Sequence, residues 1–272
     1  MSTNYLDTVT MYHDCLFDIR TLFLTHWIWD NRDSNCNFHH FCIKTTFLFI
    51  RFYPNMFSYR RLYVTFSLPK LYYQYNNNVF NVSDYDNDTF MRILYNELGT
   101  VLDISKLPQF IAEWQPSRID LFRTRSINPH DRKEFLYGYG RRSYRSNGAV
   151  TYMNTNYLVA NNNSKHHSIV EREYNKTVEM QDKHSLVYGN LPVVIENEHE
   201  WLMHELDTHA DQFRYEFSLR RNAIINYVQK YNLALNMETI MDERFQKLLL
   251  NDLVIKRGLN RIGANLRKKD SL

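Results

Sequence analysis

The most constraining feature of this chain is an apolar run interrupted by charge at alternate positions, Phe213-Arg214-Tyr215-Glu216-Phe217. Ser117-Arg118-Ile119-Asp120-Leu121 repeats the pattern upstream. Side chains two residues apart on a strand point to the same face. As strands, these segments group Arg214 with Glu216 and Arg118 with Asp120. Phe213, Tyr215 and Phe217, and likewise Ile119 and Leu121, then point the other way. A helix would spread the same charges around its axis. The pattern therefore predicts sheet strands with one apolar and one charged face.

Other segments add to this sheet. Leu6 to Met11 alternates apolar residues with Thr8 and Thr10, and Leu62 to Phe66 is a further strand ended by Pro69. A strand is expected over Arg118 to Phe122, another over Ala149 to Met153, and another over Ser168 to Tyr174. The turn Asn161-Asn162-Asn163-Ser164 predicts that the last two pair as a hairpin. A helix is expected where Phe90, Ile93, Leu94 and Leu98 form an apolar stripe, capped by Ser83 or Asp84 and stopped by Gly99. Residues 199–212 are expected to be helical, Phe213 to Leu219 a strand, and the chain helical from about 222. Hairpin-scale connections between strands predict an α+β protein with a central antiparallel sheet and flanking helices. Residues 15–60, rich in aromatics and histidine, read as an insertion. The expected organisation is a domain over residues 1–221 and a basic helical segment over 222–272.

Composition narrows the function. With 44% hydrophobic residues and 15% aromatics the chain can build a core. Seven glycines, and no GxGxxG or GxxxxGK[ST], exclude a dinucleotide fingerprint and a P-loop. The formal net charge is only +3, yet arginines and lysines gather around Arg118 to Arg145, at Arg220 and Arg221, and from Lys256 to Lys269. Such clusters suit phosphate binding, although a solvated surface would show them too. Cys15, Cys36 and Cys42 make no disulfide framework, so a reducing cytoplasm is expected. No apolar stretch of membrane-spanning length or secretory signal is expected.

Two acids placed on one sheet face by different strands, Asp120 and Glu216, offer the oxygen donors that Mg²⁺ or Mn²⁺ prefers. Arg118 and Arg214 beside them suit a DNA backbone. The same pattern also reads as ion pairs lacing an exposed sheet face. In Tyr174-Asn175-Lys176-Thr177-Val178-Glu179, Lys176 shares a strand face with Tyr174 and can favour its phenolate. Glu179 is placed as a metal ligand or proton acceptor. A tyrosine beside a lysine and several acids points to attack on a phosphodiester near a divalent metal. Packing is the other role open to any one of the 20 tyrosines.

In order, Asp7-Thr8-Val9-Thr10, Phe66-Ser67-Leu68-Pro69-Lys70-Leu71, Ser117-Arg118-Ile119-Asp120, Tyr174 to Glu179 and Phe213-Arg214-Tyr215-Glu216 resemble the filamentous-phage gene II/X type of phage and plasmid replication proteins. These are related to plasmid rolling-circle initiators. The resemblance runs from residue 6 to about 221. It implies a rolling-circle initiator-like nuclease fold and a DNA-nicking and rejoining enzyme acting at a phage or plasmid origin. It further implies Tyr174 as nucleophile, aided by Lys176, and a metal face including Asp120 and Glu216. Arg141, Arg142 and Arg145 are expected to contact DNA phosphates. Single-stranded or supercoiled origin DNA is the implied partner, with a host replication helicase or polymerase, in the host cytoplasm. The alternative is a DNA-binding protein on the same scaffold without catalysis, a repressor or packaging factor.

The chain departs from the wider class of nickases, which binds metal through two histidines flanking one residue. Here His39-His40 and His166-His167 are adjacent, and adjacent strand residues face opposite ways. Acids are therefore the expected ligands. Cys36, His39, His40 and Cys42 match no zinc-finger spacing. His204-Glu205-Leu206-Asp207-Thr208-His209 misses the HExxH register by one residue, which excludes a metalloprotease helix.

Overall fold

A computed structural model describes residues 6–15, 22, 27–30, 40–56, 59–73, 85–126, 150–152, 155–160, 169–175 and 212–256. The chain divides into two units, one of Met1–Ile119 with Arg221–Gln246 and one of Asp120–Arg220 with Lys247–Leu272. The expected α+β character, with antiparallel strand pairs and a few helices, is observed. No described helix is long and apolar enough to cross a membrane.

The first unit holds strands β1 (Leu6–Cys15), β2 (Ile28–Asp30), β3 (His40–Lys44), β4 (Leu48–Met56) and β5 (Tyr59–Ser67). They lie in the order β2-β3-β4-β5-β1. The pairs β2/β3, β3/β4, β4/β5 and β5/β1 are all antiparallel. Alternation sorts each strand: Val9 and Met11, Leu62, Val64 and Phe66, and Leu48, Ile50 and Phe52 are all buried. Thr10 and Thr65, paired across β1 and β5, share a hydroxyl hydrogen bond of 2.9 Å on the other face. Residues 40–56, part of the segment that reads as an insertion in the sequence, therefore supply two core strands of this sheet. Phe47 to Phe52 is nearly continuous in apolar and aromatic residues, which hides its strand alternation.

Two helices follow β5, α1 (Leu68–Tyr73) and α2 (Asn87–Leu98). In α2, Phe90, Met91, Leu94 and Leu98 are buried, and the Phe90 ring lies 5.4 Å from that of Phe66. The cap is Asp86, whose carboxylate accepts from the Thr89 amide at 2.7 Å. This corrects the expected cap: the helix begins at Asn87, so Asp86 stands at the N-cap in place of Ser83 or Asp84. Gly99 does end the helix, in right-handed conformation, and a Cβ there would stand 3.1 Å from the Tyr95 carbonyl oxygen. Close approach, not left-handed geometry, is what favours glycine here.

Strand β6 (Gln115–Ser126) passes from the first unit into the second at Ile119. The second unit adds β7 (Val150–Tyr152), β8 (Thr155–Ala160), β9 (Ile169–Asn175) and β10 (Gln212–Arg220), in the order β6-β10-β9-β8-β7. The expected hairpin between the strand at 149–153 and that at 168–174 is corrected. The missed strand β8 lies between them and pairs antiparallel with both. After β10 the chain turns helical as expected, with α3 (Arg221–Lys230), α4 (Met237–Met241) and α5 (Glu243–Lys256). In the first unit the Met237 amide donates to the Trp114 carbonyl at 2.9 Å, fixing the start of α4.

Candidate active site

Strand register assembles the site. β9 and β10 pair antiparallel with Tyr174 opposite Arg214 and Arg172 opposite Glu216. Directly opposed residues share a sheet face, and so do residues two apart. Arg172, Tyr174, Arg214 and Glu216 therefore lie on one face of the pair. Glu171 is opposite Phe217, on the other face, and is buried.

Glu216 is the centre of this group. Its Oε1 accepts from Arg172 Nη1 at 3.2 Å, and its Oε2 accepts from the Tyr174 hydroxyl at 3.2 Å. The Glu216 side chain is 8% exposed while that of Arg172 is 40% exposed. Removing a carboxylate from water costs several kcal/mol, ~3 or more, unless charge and hydrogen bonds replace its hydration. Arg172 supplies the charge and Tyr174 a second donor. Tyr174 is half-buried, so its hydroxyl is held by a carboxylate without being sealed in the core.

Arg214 departs from expectation. It is 1% exposed, and its guanidinium carbon lies 3.8 Å from the centre of the Phe122 ring. β10 lies between β6 and β9, and Glu216, on the same face of the strand, is buried as well. The expected backbone-binding arginine is thus an interior cation stacked on an aromatic face. Asp120 is also buried, at 3% exposure, so the face pictured as open is covered. Phe122 and Asp120 are two apart on β6, and the Arg214–Phe122 contact places them on the same face as Glu216.

Asp120 and Glu216 offer hard oxygen donors on neighbouring strands, a donor set that suits Mg²⁺ or Mn²⁺. Among the described residues no group of three or more His, Cys, Asp or Glu is gathered as a metal cluster. Lys176, Glu179, Arg141, Arg142 and Arg145 lie outside the described residues, as do Cys36 and His39. Arg118 is half-buried on the part of β6 in the first unit. His40 and Cys42 sit on β3, with the His40 ring stacked 4.8 Å from that of Tyr53.

Sequence reasoning missed Arg172. The signal was present, because Arg172 lies two residues before Tyr174 and shares its strand face. What the sequence lacked was the register that sets Arg172 against Glu216.

Neither a protein-family model nor a curated protein matches the chain. Among solved structures, the chain is similar to one described as "Structure of Rolling Circle Replication Initiator Protein from Geobacillus stearothermophilus". The TM-score is 0.38 at 11% sequence identity, over 82% of this chain and 76% of that one.

Proposed function

We propose that this chain is a replication initiator that nicks and rejoins origin DNA through Tyr174, on a rolling-circle initiator-like nuclease fold. The observation that supports the reading is the hydrogen bond from the Tyr174 hydroxyl to Glu216. A tyrosine is a weak nucleophile until a base accepts its proton, and nucleophile and base must lie within hydrogen-bond reach. Glu216 meets that condition, with Arg172 holding its other oxygen.

In this mechanism the Tyr174 oxygen attacks the phosphorus of a phosphodiester and its proton passes to Glu216. The new Tyr174 O–P bond replaces the P–O3′ bond, and the departing 3′-oxygen takes up a proton. The products are a 3′-hydroxyl and a 5′-phosphotyrosine on the protein. The linkage retains the energy of the broken bond, so attack by a 3′-hydroxyl restores the diester without a nucleotide cofactor. Asp120 and Glu216, with Glu179, would hold Mg²⁺ or Mn²⁺. A bound ion supplies charge neutralisation at the phosphate oxygens.

The partners under this reading are single-stranded or supercoiled origin DNA and, after nicking, a host helicase or polymerase. The deciding experiment incubates the protein with a supercoiled plasmid carrying the origin, with Mg²⁺ or Mn²⁺. Relaxed circles and a covalent protein–DNA band on a denaturing gel are expected. Binding without any such band under either ion would leave a DNA-binding protein in its place.

A further inference from the structure

We propose that the polar face of the first unit's sheet is a binding surface for single-stranded nucleic acid. Two neighbouring cross-strand rows carry it. One runs Cys42, Arg51, Tyr63 and Tyr12 across β3, β4, β5 and β1, and the next runs Lys44, Phe49, Thr65 and Thr10. Leu48, Ile50, Phe52, Leu62 and Val64 occupy the other face, and on this one Thr10 and Tyr12 are buried, so the accessible part is that around Lys44, Phe49, Arg51 and Tyr63. This face interleaves rings with cations.

Arg51 shows the arrangement most clearly. Its guanidinium carbon lies 5.7 Å from the Phe49 ring centre and 5.4 Å from that of Tyr63. Its Nε makes no hydrogen bond. Tyr63 in turn lies 5.5 Å from both Tyr12 and Tyr53, so the rings form a continuous layer. Arg221 stands over Tyr12 at 4.9 Å and its Nη1 donates to the Pro116 carbonyl. Arg61 is paired with Asp14. Among the described residues, Lys44, Arg51 and Arg221 have no carboxylate partner.

A cation held in place by rings and left without a counter-charge is complementary to an anion that arrives from outside. The exposed ring beside it selects which anion. Phe49 is 39% exposed and Tyr63 is half-buried on the same face. An acidic peptide would satisfy Arg51 and Lys44 but leave these rings uncovered. A duplex presents phosphates while its base faces stay stacked inside. A single strand offers both, with bases to lie on Phe49 and Tyr63 and phosphates to meet Lys44 and Arg51. Such stacking accepts any base, so the surface would hold a strand without reading its sequence.

The test measures binding of a fluorescent dT20 oligonucleotide to the full chain by anisotropy across a KCl series, in EDTA. No chemistry at Tyr174 then enters the readout, and a failed nicking mechanism would leave the result unaffected. Phe49→Ala is expected to weaken dT20 binding about tenfold. Arg51→Gln is expected to reduce the salt slope by about 0.7, the value for one lost phosphate contact on a single strand. Phe49→Trp, which keeps a ring, should bind dT20 as the wild type does, with its indole emission quenched. The proposal is overturned if Phe49→Ala binds like the wild type and the introduced indole is not quenched. It is equally overturned if polyglutamate or a 20-base-pair duplex competes as well as unlabelled dT20.

Discussion

The Tyr174 hydroxyl donates to Oε2 of Glu216 at 3.2 Å, diagonally across two strands, two positions from the residue directly opposite it. This contact gives one carboxylate two tasks. Under the proposed mechanism it orients the nucleophile and accepts its proton, while its other oxygen is tied to Arg172. The proposal thereby adds proton transfer to the metal-binding role expected of Glu216.

Tyr174→Phe removes only that hydroxyl. Loss of one part-buried hydrogen bond should cost about 1 kcal/mol, so the protein remains folded. The covalent adduct should vanish and nicking should fall on the order of 10³-fold or more. A denaturing gel with labelled origin DNA checks this. Persistence of the adduct would assign the nucleophile to another tyrosine, such as Tyr139, Tyr144 or Tyr152.

Glu216→Gln keeps the shape but cannot take a proton. Nicking should fall by about 10²- to 10⁴-fold, the span expected for losing a general base. Stability should fall by about 1–2 kcal/mol, less than for a fully buried pair because Arg172 remains partly in water. Thermal melts and single-turnover nicking separate the two effects. Nicking at the wild-type rate would remove Glu216 from proton transfer.

Arg214→Ala should act on folding and not on DNA phosphates. Its buried guanidinium and stem cover Phe122, so the expected loss is about 3 kcal/mol. The salt slope of DNA binding should stay unchanged at temperatures where the variant is folded. A flattened slope with an unshifted melting temperature would return Arg214 to the DNA-contacting set.

Stability should fall in mild acid through His13. Burial lowers its pKa below 6.5, outweighing the raising effects of Glu113 and Asp14, and its ring lies 5.9 Å from that of Trp114. The folded state therefore holds fewer protons than the unfolded chain just below pH 6.5. The stability that neutral His13 contributes is complete above that pH and is lost as pH falls through the lower folded value. His13→Gln should flatten this limb in urea melts taken between pH 7 and pH 5. An unchanged limb would assign the acid sensitivity elsewhere.

Alternation alone located β1, β5, β6, β9 and β10, because period-two patterning is a local property with one physical cause. The Phe90, Leu94 and Leu98 stripe located α2 for the same reason. Alternation failed at β4, where apolar residues run almost unbroken from Phe47 to Phe52. It also missed β8, which made β7 and β9 look like direct partners. The sequence likewise placed Arg214 with Glu216 and offered Tyr174 as a nucleophile, but it could not say which strands are neighbours. That choice belongs to the tertiary structure. β9 and β10 are separated by residues 176–211, and only their pairing brings Arg172 and Tyr174 to Glu216. Burial of Arg214 has the same origin, since the Phe122 ring over its guanidinium is carried by a different strand. Local patterning fixed which way each side chain points, and long-range pairing decided what it meets.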